Sequence, residues 1–220
     1  MDIIFATGNK HKVIEAAKAL GDSFTLIMPK ELGCNDDIPE TGDTLQANAI
    51  QKCMYLWERF GKTCFADDTG LEVDALGGAP GVYTARYAGL GCSNEDNIQK
   101  LLRELEKAEK KRTNAAMPDD TIRMFPDTPD GDAHLSDNTR AARFRTVVAF
   151  MIHGELHLFE GVLEGRIACE KSGEQGFGYD PIFIPHGYDK TLAQISLDEK
   201  NSISHRGQVM RKLSSFLQQC

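Results

Sequence analysis

The stretch Asp2-Ile3-Ile4-Phe5-Ala6-Thr7-Gly8-Asn9-Lys10-His11-Lys12 decides the fold class. Asp2 to Ala6 reads as a strand, and Thr7-Gly8-Asn9 as a turn. From Lys10 to Leu20 the apolar residues Val13, Ala17 and Leu20 recur at i, i+4 and i+7, the spacing of one helix face. Asn9 is a suitable N-cap for that helix. A strand that passes through a glycine turn into a helix opens an α/β fold.

Outward from this unit, a loop rich in Gly, Asp and Pro runs from Gly33 to Gly42. A second helix is expected from Thr44 to Phe60, with Leu45, Ala49, Cys53, Leu56 and Phe60 on its apolar face. Thr63 to Ala66 reads as a strand ending in Asp67-Asp68-Thr69-Gly70, and Gly77 to Gly81 as an irregular loop. Ser93 and Asp96 have the spacing of a capping box, which starts a third helix bearing Ile98, Leu101, Leu102 and Leu105. From about Glu109 to Arg140 the chain is polar, with Pro118, Pro126 and Pro129. It reads as an exposed insertion with little apolar surface to bury. Arg143–Ile152 and Leu156–Cys169 read as antiparallel strands, with turns at His153-Gly154 and Glu160-Gly161. A glycine-rich loop, Gly173 to Pro181, precedes a helical start at Ser196–Glu199 and a last helix packed by Val209, Met210, Leu213 and Leu217. The chain shows no internal repeat. The expectation is one mixed-sheet α/β domain over residues 1–220, with about 109–140 as the insertion.

The 220 residues are 41% apolar and 26% charged, which excludes a fibrous or wholly disordered chain. No apolar run approaches the ~20 residues of a membrane helix. The opening residues have no basic stretch leading into an apolar one, so neither a signal peptide nor a membrane partner is expected. The six cysteines form no C-x-x-C pair and read as reduced thiols of a cytoplasmic protein. A net charge of −8 disfavours polymeric nucleic acid as a partner, while a small polyanion can still bind where cations cluster locally.

Five places carry candidate chemistry. Thr7, Gly8, Asn9, Lys10, His11 and Lys12 put cations at a helix N-terminus, where they oppose the dipole unless an anion binds; the alternative is a solvated basic helix start. Asp67 and Asp68, with Glu40, could share a Mg²⁺, which takes one or two carboxylates, waters and phosphates; the alternative is solvated acids at a strand end. Lys52 lies at the border of an apolar stripe with Asn48 one turn before it. That position reads as a snorkelling lysine, with reach to a phosphate as the alternative. In Gly176-Phe177-Gly178-Tyr179-Asp180, flanking glycines leave the Phe177 ring open for stacking on a planar ligand, or the segment is a tight turn with a core aromatic. Lys200, His205 and Arg206 could donate to base carbonyls or phosphates, or could begin a surface helix. Cations for phosphates, carboxylates for a metal and an aromatic for a base make the inventory of a nucleoside triphosphate site.

The motifs FATGNKHK (Phe5–Lys12), ETG (Glu40–Gly42), NAIQK (Asn48–Lys52), ADDTGLEVDALGGAPGVYTARYAG (Ala66–Gly89), GFGYDPIF (Gly176–Phe183) and EKNSISHRGQ (Glu199–Gln208) span nearly the whole chain. In that order they resemble the inosine triphosphate pyrophosphatase (Ham1-like) family, enzymes that remove non-canonical purine nucleotides. ADDTGL and Ala85-Arg86-Tyr87 match its bacterial-type branch. The resemblance implies an elongated two-lobed mixed-sheet fold of the Maf/Ham1 type with a central cleft, in a homodimer. It implies Mg²⁺-dependent conversion of purine nucleoside triphosphates (dITP, ITP, XTP) to the monophosphate and pyrophosphate. By motif match, Thr7 to Lys12 and Lys52 hold phosphates, and Glu40 and Asp68 serve the metal. Asp68 is the proton acceptor and Thr69 a substrate contact. Phe177, Gly178, Tyr179, Asp180, Lys200, His205 and Arg206 surround the base. The choice of Asp68 over Asp67 rests on that match alone. Ala47 stands where the family often has Glu, so one metal-shell carboxylate is missing or is replaced by Asp67. The insertion is longer than the family norm. A Maf-type enzyme for pyrimidine or methylated nucleotides is the rival reading, disfavoured by FGYD and SHR; a nucleotide sensor without turnover would need no acid cluster.

Overall fold

The computed structural model describes residues 1–21, 23–115 and 138–219. Most of the expected insertion lies outside these residues. Its first part does not: the third helix continues through Glu109 to Ala115.

The described chain forms β1 (Asp2–Phe5), α1 (Lys10–Leu20), β2 (Thr25–Ile27), α2 (Leu45–Phe60), β3 (Cys64–Val73), β4 (Pro80–Gly81), α3 (Asn94–Ala115), β5 (Ala141–Ile152), β6 (Glu155–Ile167), β7 (Phe183–Pro185), α4 (Leu197–Ile203) and α5 (His205–Leu217). Local chemistry sets the helix starts. The Asn9 side chain accepts from the His11 N–H at 2.9 Å, Thr44 accepts from Ala47 at 3.0 Å, and Ser93 and Asp96 close a reciprocal capping box. At the β5–β6 hairpin, His153 and Gly154 both have positive φ (51° and 83°), the backbone of a two-residue type I′ turn.

The strands form one mixed sheet in the order β2-β1-β3-β5-β6-β7. β1 is parallel to β2 and β3, and the later pairs are antiparallel. β3 is longer than expected: it does not stop at Ala66 but runs through the acid pair to Val73. One edge of β3 pairs with β5 along its whole length. The other edge is divided. β1 pairs as far as Phe65, and β4 begins at Leu71, so residues 66–70 have no strand neighbour on that side. The sheet is split there, and Asp67-Asp68-Thr69 lie in the split.

Alternation along the strands sorts side chains onto two faces. On one face, Phe5, Phe65, Val148 and Phe150 pack under α1 and α5, against Ala16, Leu20, Val209, Met210 and Leu213. Farther along the same face, Leu71, Val73, Phe144 and Leu163 pack under α3, against Ile98, Leu101 and Leu105. Between these two cores the face turns polar at Asp67, Thr69 and Thr146, and a cleft separates the lobes. On the opposite face, Cys64, Ala66, Val147, Ala149 and Met151 are covered by Ala49, Cys53 and Leu56 of α2.

β6 passes straight through Glu160-Gly161, where a turn was expected. Gly161 serves a close approach instead. A Cβ there would lie 2.1 Å from the backbone oxygen of His205, so the bare glycine lets the first turn of α5 rest on the strand.

Candidate active site

β3 aims its adjacent acids in opposite directions. Asp67 is fully buried and faces α1 and α5; Lys12 Nζ lies 2.9 Å from it, and Arg206 donates to it at 3.2 Å. Asp68, 8% exposed, faces α2; Lys52 Nζ is 3.0 Å away and Asn48 Nδ2 donates at 3.2 Å. Lys52 also binds Glu40 at 2.6 Å. It is therefore no snorkelling lysine: it is buried, and its ammonium bridges two carboxylates.

The two acids differ electrostatically as well. Burial disfavours the charge on Asp67, yet Lys12, Arg206 and Lys52 outweigh it and hold the carboxyl well below the usual carboxylate range. Asp68 must share one ammonium with Glu40, so burial prevails and raises its pKa. Lys52 has Asp68, Asp67 and Glu40 around it, and together they overcome its own burial and keep it charged. Asp67 is thus a fixed buried anion, and Asp68 a carboxylate of raised proton affinity facing the cleft. Asp67 does not replace the carboxylate missing at Ala47, because it points to the other face of the sheet.

A second network lies beside the first. Glu15 of α1 accepts from Lys200 at 2.7 Å and from Arg206, and Lys200 also binds Asp180 at 2.7 Å. Asp180 in turn accepts from the Phe177 N–H at 2.8 Å. Gly176 (φ 79°) allows this turn, since a Cβ there would lie 2.1 Å from Asp180 Oδ2. Lys12, Lys200 and Arg206 are thereby matched by Asp67, Glu15 and Asp180, which makes their burial tolerable. His205, fully buried and stacked on Phe144 (4.8 Å), has its pKa pushed well below the usual value by burial and by Arg206 and Lys200. It is neutral, and its Nδ1 has no hydrogen-bond partner among the described residues.

The cleft has two chambers. One, of about 190 Å³, is walled by Asp68, Thr69, Phe177, Lys200, His205 and Arg206. The other, of about 460 Å³, is walled by Thr7, Gly8, Lys30, Lys52 and residues 34–38, which include Asp36 and Asp37. Asn9, Lys12 and Glu40 border both. Gly178, Tyr179 and Asp180 line the smaller chamber. Lys10 and His11 are exposed and line neither; His11 instead stacks against Phe177 at 5.5 Å. Phe177 also has Lys200 Nζ 5.0 Å from its ring centre.

Glu15, Asn48 and Thr146 were missed by sequence reasoning. Glu15 lies on the helical wheel opposite the Val13, Ala17 and Leu20 face and reads as solvated. It is buried because α4 and α5 close over that side of α1. Nothing in the local sequence signals this.

Among the described residues no three His, Cys, Asp or Glu side chains gather as a metal cage. A hard divalent ion that keeps waters and substrate phosphates needs only one or two carboxylates. Glu40 and Asp68 already share one cation, the Lys52 ammonium, so these two oxygen donors fit such an ion.

Fold and site define a mixed α/β protein whose split sheet holds a two-chambered cleft, rich in paired cations and built for a small anionic ligand. The Ham1 family model matches residues 3–127 and 130–216. A dITP/XTP pyrophosphatase of Flavobacterium psychrophilum is 44% identical over 98% of either chain, and one of Bacillus subtilis is 41% identical over 99% of this chain and 97% of its own. The solved Ham1 protein of Coxiella burnetii superposes with a TM-score of 0.80 at 35% identity over the full length of both chains. That of Staphylococcus aureus gives 0.77 at 37%, covering 99% and 98%. The chain belongs to the Ham1 family.

Proposed function

We propose that this protein is a nucleoside triphosphate pyrophosphohydrolase that uses Mg²⁺ to convert dITP, ITP and XTP to the monophosphate and pyrophosphate. The observation that carries the reading is Asp68, a carboxylate of raised proton affinity that lines the aromatic-walled chamber and is paired at 3.0 Å with Lys52, which lines the adjoining one. The full-length relatives named dITP/XTP pyrophosphatase support it. The base enters the smaller chamber beside Phe177, and the phosphates lie over the α1 N-terminus with Lys12 and Lys52. Asp68 orients a water and takes its proton as the water oxygen attacks the α-phosphorus. The bond to the bridging oxygen breaks and pyrophosphate leaves. Such general-base help is typically worth ~10²–10⁴-fold. Glu40 and Asp68 are the residues that would hold Mg²⁺, which would supply charge neutralisation to the phosphates. Lys12 and Lys52 add positive charge beside the phosphates.

A homodimer is supported by Leu156 and Leu158, 38% and 42% exposed on a sheet face where α2 covers only β3 and β5. Cytoplasmic residence fits a nucleotide-pool enzyme and the free thiols of Cys34, Cys53, Cys64, Cys92 and Cys169. No described helix is long and apolar enough to cross a membrane. The test is pyrophosphate release from ITP with and without Mg²⁺. Metal-dependent release is expected, and its absence overturns the assignment.

A further inference from the structure

Arg86 is the middle residue of the Ala85-Arg86-Tyr87 motif. It ends a tight turn, Thr84–Arg86, that three other parts of the fold hold in place. Leu71 of β3 donates its N–H to Thr84 Oγ1 at 2.8 Å, the Tyr179 hydroxyl donates to the Thr84 carbonyl at 3.1 Å, and Asn97 of α3 donates to the Ala85 carbonyl at 3.2 Å. The turn therefore moves with the α3 lobe. The Arg86 guanidinium lies 5.3 Å from the Tyr83 ring centre; Arg86 lines the smaller chamber, on the side of Glu40, which borders the phosphate chamber as well.

Its bonding sets it apart from four other cations of the cleft. Lys12, Lys52, Lys200 and Arg206 each hydrogen-bond a carboxylate. Arg86 has only a long ion pair, Nη1 to Glu40 Oε2 at 3.9 Å, and among the described residues its side chain donates no hydrogen bond. A guanidinium has five N–H donors in a planar fork that matches two phosphate oxygens. Here that fork is held by a rigid turn on one lobe and faces the phosphate-side carboxylate Glu40 near the α1 N-terminus of the other.

We propose that Arg86 is a phosphate-contacting residue that clamps the polyphosphate from the α3 lobe, opposite Lys12 and Lys52. The proposal rests on the hydrolase reading for its substrate but not for its ligand class, which is a polyphosphate. Once Glu40 serves a metal ion, the guanidinium is released to a bidentate phosphate contact. Lys at this position keeps the charge and loses the fork.

The test uses the full chain and inorganic tripolyphosphate as the probe. Calorimetry should show Arg86→Ala binding it about 10- to 100-fold more weakly, the usual range for a lost charge-assisted hydrogen bond, with Arg86→Lys in between. At saturating ITP and Mg²⁺ the alanine variant should turn over about 10²-fold more slowly, and millimolar guanidinium ion should restore part of the rate. Tripolyphosphate affinities within twofold of each other, or no binding to either protein, overturn the proposal. So does a rate loss that extra Mg²⁺ removes, which would make Arg86 a mere counter-ion of Glu40. If Arg86→Ala does not fold, Arg86→Lys carries the same comparison. A wild-type protein that binds tripolyphosphate but releases no pyrophosphate from ITP counts against the hydrolase reading alone.

Discussion

At the residue scale, the two neighbouring aspartates should fail in different ways. Asp68→Asn is nearly isosteric, so the fold should persist while turnover falls ~10²-fold or more; a rate within threefold of wild type removes Asp68 from the chemistry. Asp67→Asn instead leaves the Lys12 and Arg206 charges buried without their carboxylate, and should cost about 3–5 kcal/mol, read as a fall in Tm. The sign of its pH dependence follows from its depressed pKa. The stabilisation is present above the unfolded carboxylate value of about 3.9 and is lost as pH falls through the lower folded value. Acid unfolding of the wild type should therefore steepen below about pH 4, and Asp67→Asn should flatten that limb. Asp68 has the opposite shift in the metal-free protein, so without Mg²⁺ its carboxyl, followed by NMR, should titrate above the ordinary aspartate value. For selectivity, a pocket that donates to the oxygen at position 6 of inosine and xanthosine meets an amino donor in adenine. Such sites can discriminate by ~10⁴-fold, and stacking on Phe177 cannot. ITP, dITP and XTP should be hydrolysed far faster than ATP, with GTP also poor. Phe177→Ala should weaken all purines together, while Arg206→Ala should narrow the ITP–ATP gap in kcat/KM.

At the element scale, the base chamber depends on how α5 meets β6. Gly161→Ala puts a methyl 2.1 Å from the His205 carbonyl oxygen, a contact that only displacement of the helix can relieve. His205 and Arg206 sit in the displaced turn. The variant should lose stability by about 1–3 kcal/mol, typical of forced overpacking, and lose ITP turnover with it; an unchanged Tm and rate would show that the helix start is not seated as described. α1 has a parallel role. Its wheel places Val13, Ala17 and Leu20 inward, and Leu20 is buried, but α4 and α5 also bury Glu15 on the far side. Glu15→Gln keeps the size and removes the charge shared by Lys200 and Arg206. It should lower Tm and reduce ITP-over-ATP selectivity together, because both cations lose the same counter-charge.

At the scale of the molecule, two lobes share one sheet and meet at the split edge of β3. The insertion joins the chain where α3 ends at Ala115 and returns near Arg140. That return is fixed, with Arg140 2.7 Å from Glu109 and donating to the Ala168 carbonyl at 2.9 Å. Residues 116–137 are poorer in apolar side chains than the chain as a whole, and replacing them with a short Gly/Ser linker should leave cooperative thermal unfolding and ITP turnover intact. Loss of the cooperative transition would make the segment part of the core.

The sequence by itself determined the elements with a local cause. Asn9, Thr44 and Ser93 cap their helices where their side chains can reach free N–H groups, and His153-Gly154 turns the hairpin through its backbone preference. It also marked most cleft residues, because lysines, acids and a glycine-flanked aromatic are unusual beside apolar strands. The short strands β2, β4 and β7 had too few residues to show a period. The course of β3 beyond Ala66 was hidden because a strand running between two cores turns polar in the middle. Only the tertiary structure decided that Asp67 and Asp68 diverge, that Lys52 is buried between two acids, and that Glu15 lies inside. Each of these depends on which distant element supplies the opposite charge: α1 and α5 for Asp67, α2 for Asp68, α4 and α5 for Glu15. Burial and charge pairing are sums over neighbours in space, and no window along the chain contains those neighbours.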